Sequence, residues 1–186
     1  MNAASPTSQS QRRGPAEAEV PWPELEALHL ESLGWARNCC RQDAEEAENV
    51  LQAVYLKIVE RRALFDGRST LRTWLFAVIR RTAADGRRRR LVQRLALGRQ
   101  QERAIAPPAA ASPERVAYLA EVRTSFRALV ARLPRRQCEV LQLVFYHDLS
   151  LAEAAEVMAV SLGSVRTHYE RGKRRLRAAM AEAGLR

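Results

Sequence analysis

The stretch Leu149-Ser150-Leu151-Ala152-Glu153-Ala154-Ala155-Glu156-Val157-Met158-Ala159-Val160-Ser161-Leu162-Gly163-Ser164-Val165-Arg166-Thr167 contains two helix starts separated by one tight turn. Ser150 followed three residues later by Glu153 is a capping box, in which each side chain bonds the other residue's backbone N–H. The short helix behind it gathers Leu151, Ala154, Ala155 and Met158 on one face. Ala159-Val160-Ser161 makes the turn and Ser161 caps the next helix, with Val160 and Val165 placed as a hydrophobic staple. The second helix carries a core stripe of Val165, Tyr169, Gly172 and Leu176, and the opposite side carries Ser164, Arg166, Thr167, Glu170, Arg171 and Arg174. Two short helices, a tight turn and a polar face near the second N-terminus predict a helix-turn-helix. The less specific reading of the same pattern is a helical bundle with one basic exposed helix.

A second helix of this kind enters the major groove with its first turns at the base edges. Arg166 and Arg171 then reach guanine or phosphate, and Thr167 meets a thymine methyl. Glu170 accepts from cytosine or pairs with Arg174 one turn on, and His168 contacts phosphate or packs. Arg174, Arg175 and Arg177 leave the groove and meet the backbone.

Upstream, Leu133-Pro134 opens another helix, since proline is tolerated at the first helical position. Its expected buried face is Val140, Leu141, Val144 and Phe145, and a further helix is expected from Val116 to Leu133. Before these lies Ala104-Ile105-Ala106-Pro107-Pro108-Ala109-Ala110-Ala111-Ser112-Pro113, whose paired prolines and small residues resist helix formation. It reads as a flexible linker between two modules, because structureless loops of this length are uncommon inside compact domains.

The segment before the linker also reads as helix. From Asp43 to Val59, Ala47, Val50, Leu51, Val54, Tyr55 and Ile58 form an amphipathic stripe, with Asp43, Glu45, Glu46 and Glu48 at the N-terminal end favoured by the helix dipole. The outer face carries Glu48, Asn49, Gln52 and Leu56. Phe65-Asp66-Gly67-Arg68-Ser69 is a turn with a helix start behind it, and that helix is expected to bury Leu71, Trp74, Leu75, Val78 and Ile79. Its far end holds Arg80, Arg81, Arg87, Arg88, Arg89 and Arg90, a density suited to a phosphate backbone.

The whole chain has 186 residues, 31 Lys or Arg against 21 Asp or Glu, and a net charge of +10. That excess implies a polyanionic partner. All but Lys57 and Lys173 of the basic residues are arginine, the better bidentate donor to phosphate and guanine. No apolar run reaches the roughly 18 residues a membrane span requires. The polar N-terminus lacks the apolar stretch of a secretion signal, so residence in the cytoplasm is expected. Cys39, Cys40 and Cys138 give neither a disulfide framework nor a zinc spacing, and His29, His147 and His168 are scattered, so no metal, cofactor or enzymatic site is expected.

Two segments now carry a resemblance. Ala47-Glu48-Asn49-Val50-Leu51-Gln52-Ala53-Val54-Tyr55-Leu56-Lys57 and Phe65-Asp66-Gly67-Arg68-Ser69-Thr70-Leu71-Arg72-Thr73-Trp74-Leu75 are similar to region 2 of bacterial sigma-70-type factors of the extracytoplasmic-function (ECF) group. Leu133 through Leu176 resembles sigma region 4 on Leu133-Pro134, Val140-Leu141, Leu149-Ser150, Ala155, Ser161, Val165-Arg166, Arg171 and Arg174-Arg175-Leu176. Asn49, Ala53, Arg81 and Glu170 stand where the family usually has Asp, Glu, Asn and His, so the promoter preference is not inherited.

The resemblance implies an all-α fold of two small helical domains joined by a flexible linker, the second containing the helix-turn-helix. The expected boundaries are a disordered tail at 1–19, region 2 at 20–92, linker at 93–115 and region 4 at 116–186. It implies a bacterial, non-enzymatic initiation factor that binds core RNA polymerase through Glu48, Asn49, Gln52 and Leu56. Contacts to the minus-ten element fall on Phe65, Asp66, Gly67, Arg68, Ser69, Arg72, Arg80, Arg81, Arg87 and Arg88. Contacts to the minus-thirty-five element fall on Ser164, Arg166, Thr167, His168, Glu170, Arg171, Arg174 and Arg175. Core polymerase and promoter DNA are the expected partners, with an anti-sigma protein left open and no insertion into a membrane. The competing reading is a stand-alone helix-turn-helix regulator, which leaves the Phe65–Trp74 segment without a purpose.

Overall fold

A computed structural model describes residues 20–97, 129–130 and 132–182. The expected tail, most of the expected linker and most of the expected helix at 116–133 lie outside these residues. Among the described residues all repetitive structure is helical. Seven helices are named here in chain order: α1 (Trp22–Ala27), α2 (His29–Cys39), α3 (Ala44–Val59), α4 (Leu71–Leu97), α5 (Arg135–Phe145), α6 (Leu151–Met158) and α7 (Leu162–Glu182).

The caps explain the boundaries. Asp43 Oδ1 accepts from the Glu46 amide at 3.0 Å and starts α3, just after a reversal in which Arg41 and Gln42 take positive φ. Both bonds of the capping box form at α6: Glu153 N–H donates to Ser150 Oγ at 3.2 Å and Ser150 N–H to Glu153 Oε2 at 2.9 Å. The α6–α7 turn then requires the left-handed region, and Ala159 adopts it at φ 51° where glycine is the usual occupant. Ser161 Oγ accepts from the Ser164 amide at 3.2 Å and begins α7.

α2, α3 and one side of α4 bury Trp35, Ala36, Ala47, Val54, Leu75 and Ile79. The Trp35 indole donates to the Phe76 carbonyl at 3.0 Å and its ring stacks on Phe76, which ties α2 to α4. α5, α6 and α7 assemble around Val140, Leu143, Met158 and Val165. α6 also lies along α4, so the two groups of helices share one continuous core. A smaller cluster of Val130, Leu133, Leu141 and Leu176 sits on the far side of α5 and α7.

Several sequence expectations need correction. Phe145 is exposed, with its ring stacked on Tyr169, because the core side of α5 is taken by Val140, Leu141 and Leu143. Leu151 and Trp74 are half-buried. Phe76, Thr73 and Thr82 are buried, because α4 meets neighbours on more than one side. Lys57 reaches Thr82 Oγ1 at 2.8 Å across α3 and α4, and burial pulls its ammonium pKa down.

Candidate nucleic-acid interface

Phe65, Asp66, Gly67, Arg68 and Ser69 come together in one short loop ahead of α4. Gly67 takes φ 70°, which a side chain would strain. The Asp66 carboxylate accepts from the Arg68 amide at 3.2 Å and pairs with the Arg68 guanidinium at 3.4 Å. The Phe65 ring tilts onto Trp74 at 5.4 Å between centroids, and the Trp74 indole donates to the Leu64 carbonyl at 2.9 Å. Thr70 Oγ1 accepts from the Thr73 amide at 3.1 Å and fixes the start of α4. The result is an aromatic floor pinned at both ends, beside an exposed guanidinium.

The arginines of α4 divide into two sets. Arg81 and Arg88 are exposed. Arg72, Arg80 and Arg87 are engaged by protein groups. Arg72 Nε pairs with Glu31 at 2.9 Å, its guanidinium lies 6.0 Å above the Phe76 ring, and it donates to the His147 carbonyl. Arg80 pairs with Glu139 at 3.2 Å. Arg87 donates to the Cys39 carbonyl at 2.6 Å at the C-terminal end of α2, and burial lowers its pKa. Arg90 pairs with Glu46.

On α7, Arg166, Thr167, Glu170, Arg171, Arg174 and Arg175 are exposed, and Ser164 and His168 are half-buried. Thr167 Oγ1 donates to the Gly163 carbonyl at 3.0 Å, which leaves its methyl group free to face outward. Glu170 pairs with Lys173 at 2.8 Å rather than with Arg174, because Lys173 is held 4.4 Å above the Tyr169 ring. Gly172 lets α7 approach α5 closely: a Cβ there would lie 3.1 Å from Leu141 Cδ1. The exposed reading face and the close approach together set where the arginines stand relative to α5.

On α3, Glu48, Asn49, Gln52 and Leu56 all face outward, and Leu56 is 56% exposed. The thiols show no activation. Burial pushes Cys40 up to about 12 and Cys138 up to about 11, and raises Cys39 as well.

Sequence reasoning missed the residues between the two helix groups. Glu139 of α5 is buried among Arg80, Arg135 and Arg136, and His147 is buried against Trp35 and Phe76. Glu139 was visible in one respect, as a single acid three and four residues after two arginines. The link to Arg80, 59 residues away, leaves no trace in local spacing.

Residues 26–92 match the family model for sigma-70 region 2 and residues 123–176 the model for sigma-70, region 4. The ECF RNA polymerase sigma factor SigC of Mycobacterium tuberculosis is 30% identical over 132 residues, covering 70% of this chain and 68% of that protein. The ECF RNA polymerase sigma factor SigX of Bacillus subtilis is 27% identical over 146 residues, covering 73% and 71%. The fold is similar to that of the sigma factor RpoE from Bartonella quintana, solved in complex with the anti-sigma factor NepR, at a TM-score of 0.68 and 20% identity over 86% of this chain and 96% of that one. Both matched regions occur in the order and at the positions where the helix-turn-helix and the aromatic loop stand, and the chain belongs to the sigma-70 family of RNA polymerase sigma factors, in its extracytoplasmic-function group.

Proposed function

We propose a residue-level division of labour for this initiation factor. α7 lies in the major groove of the minus-thirty-five element, with Arg166, Thr167, Glu170 and Arg171 at base edges and Arg174 and Arg175 on phosphates. The loop Phe65–Ser69 receives a base from the melted strand of the minus-ten element. Flipping a base out costs a few kcal/mol, so a pocket that stacks it selects for sequences that open easily. Arg72, Arg80, Arg81, Arg87 and Arg88 steer the adjoining backbone. The outer face of α3, with Glu48, Asn49, Gln52 and Leu56, docks on core polymerase. An anti-sigma protein is a further proposed partner, by likeness to the Bartonella factor's complex.

One observation carries this reading: the Phe65–Trp74 aromatic floor at the mouth of a basic helix, pinned by Trp74 and Thr70. A stand-alone helix-turn-helix regulator has no use for it. The test is to mix the full chain with core polymerase and a pool of promoter fragments and sequence the transcripts. Initiation from a defined pair of elements supports the reading. Specific duplex binding with no initiation overturns it. Among the described residues no helix is long and apolar enough to cross a membrane.

A further inference from the structure

The two modules are closed on each other. α6 lies along α4, Trp35 and Phe76 of the first module enclose His147 of the second, and the two halves share one core. Polar contacts cross the same boundary: Arg80 to Glu139, Arg72 to the His147 carbonyl, Thr73 to Glu153 at 3.5 Å, and Cys138 to Asn38 at 3.6 Å. A compact body of about 130 residues has a radius of gyration of about 14 Å and a diameter of roughly 36 Å. The two promoter elements, by their positions, lie about 25 base pairs apart, or ~85 Å of duplex at about 3.4 Å per step. The closed chain is too short to hold both. Residues 98–128 would span up to about 100 Å when extended, which allows the modules to separate.

Glu139 is the centre of the closure. Its side chain is 3% exposed and holds Arg135 at 2.8 Å and Arg136 at 3.5 Å from its own helix, and Arg80 at 3.2 Å from the other module. These three partners differ on opening. Arg135 and Arg136 travel with Glu139, so the carboxylate keeps counter-charges, and Arg80 alone is released. The pair therefore separates without stranding a buried charge, whereas most buried pairs leave one behind when broken. The released guanidinium is one that the proposed function assigns to the DNA backbone. A carboxylate and a phosphate make the same bidentate, charge-assisted demand on an arginine.

We propose that Glu139 is an autoinhibitory latch: in the free chain it occupies Arg80 in place of a DNA phosphate and holds the helix-turn-helix module against α4. This rests on the assignment of Arg80 to the minus-ten element. Closure and promoter binding are then mutually exclusive, and the free chain is held off DNA without any second protein.

The test uses the full chain, a promoter fragment from the initiation selection melted over its minus-ten element, and small-angle scattering. Glu139→Gln is expected to increase the radius of gyration and to tighten binding of the free chain at least tenfold. Native helicity with unchanged dimensions and affinity overturns the latch. Asn38→Cys supplies a second measurement, because it places a thiol beside Cys138 within reach of a disulfide. The oxidised variant is expected to stay compact and lose at least tenfold in binding, with recovery on reduction and no response in Asn38→Cys/Cys138→Ala. A bridged protein that binds as tightly as the reduced one also overturns the latch. Arg80→Ala separates the two readings. Opening without the gain seen in Glu139→Gln supports both. Opening with the full gain overturns the substitution of Glu139 for a phosphate and removes Arg80 from the DNA contacts, while the closure stands.

Discussion

Acidification should destabilise this protein through one residue, His147. Its side chain is 1% exposed and sits in an aromatic enclosure, with edge contacts to Phe76 at 4.8 Å, Tyr146 at 5.2 Å and Trp35 at 5.9 Å. Among the described residues its Nε2 has no hydrogen-bond partner. Burial, and then the Arg72 charge, push its pKa down from 6.5 to about 4, against a smaller opposing pull from Asp148. The imidazole is thus neutral when folded and protonates readily when unfolded. Its contribution is fully present above pH 6.5 and is lost as pH falls towards 4, because the unfolded state then binds the extra proton. Full loss amounts to about 3 kcal/mol at 1.36 kcal/mol per pH unit, and about 2.5 kcal/mol of it has gone by pH ~4.5.

Urea unfolding at neutral and mildly acidic pH measures this directly when set beside His147→Phe, which keeps a ring in the enclosure but has no proton to gain. Carboxylate titrations are common to both proteins, so the difference between their pH slopes belongs to His147. The wild type should lose about 2.5 kcal/mol more than the variant between pH ~7.5 and ~4.5. Equal losses would refute the argument, and would mean that the ring is reached by water or finds a hydrogen-bond acceptor.

Arg166→Ala should lower initiation at least tenfold on promoters that depend on the upstream element, with affinity for core polymerase unchanged in a pull-down titration. Unchanged initiation there would remove Arg166 from the base contacts. Gln52→Ala should weaken binding to core polymerase several-fold while leaving thermal stability within about 0.5 kcal/mol, since it is an exposed surface position; normal affinity would mean that another face of α3 docks. Gly172→Ala sets a gain in helix propensity of about 1 kcal/mol against overpacking of about 1–3 kcal/mol, since its Cβ would meet Leu141 Cδ1 at 3.1 Å and Gln137 Cβ at 3.3 Å. A lower melting temperature with weaker binding to the upstream element is expected, and a more stable protein would show that Leu141 yields without moving α7.

Local chemistry was legible wherever one residue acts on its near neighbours. The Ser150–Glu153 box, the Ser161 cap and the Asp43 cap follow from side chains that satisfy helix N–H groups within three residues. The stripe on α3 was also legible, because that helix buries one face. α4 was harder. It meets α2 and α3 on one side and α6 on another, so a single apolar stripe misses Phe76 and the buried threonines Thr73 and Thr82. The candidate loop was readable down to its aromatic contact, yet the occupation of Arg72, Arg80 and Arg87 was not. Periodicity registers apolar faces, and the junction between the modules is held in part by charged and polar groups whose partners are 48 to 80 residues apart.

The meaning of the +10 charge depends on that distinction. An exposed ion pair such as Lys173–Glu170 contributes little to stability and yields easily to a phosphate. Arg80, 14% exposed against a 3% exposed carboxylate, does not yield without movement of a whole module. The charge available to DNA in the closed chain is therefore set by Arg68, Arg81, Arg88 and Arg89 on one module and Arg166, Arg171, Arg174, Arg175 and Arg177 on the other. Each further phosphate contact adds about 0.9 to the slope of log affinity against log salt. An open chain that recruits Arg80 should thus be more salt-sensitive as well as tighter, which a generally sticky basic protein would not show. Sequence composition counts Arg80 as one more positive charge, whereas its position against Glu139 makes it a charge that the fold can withhold.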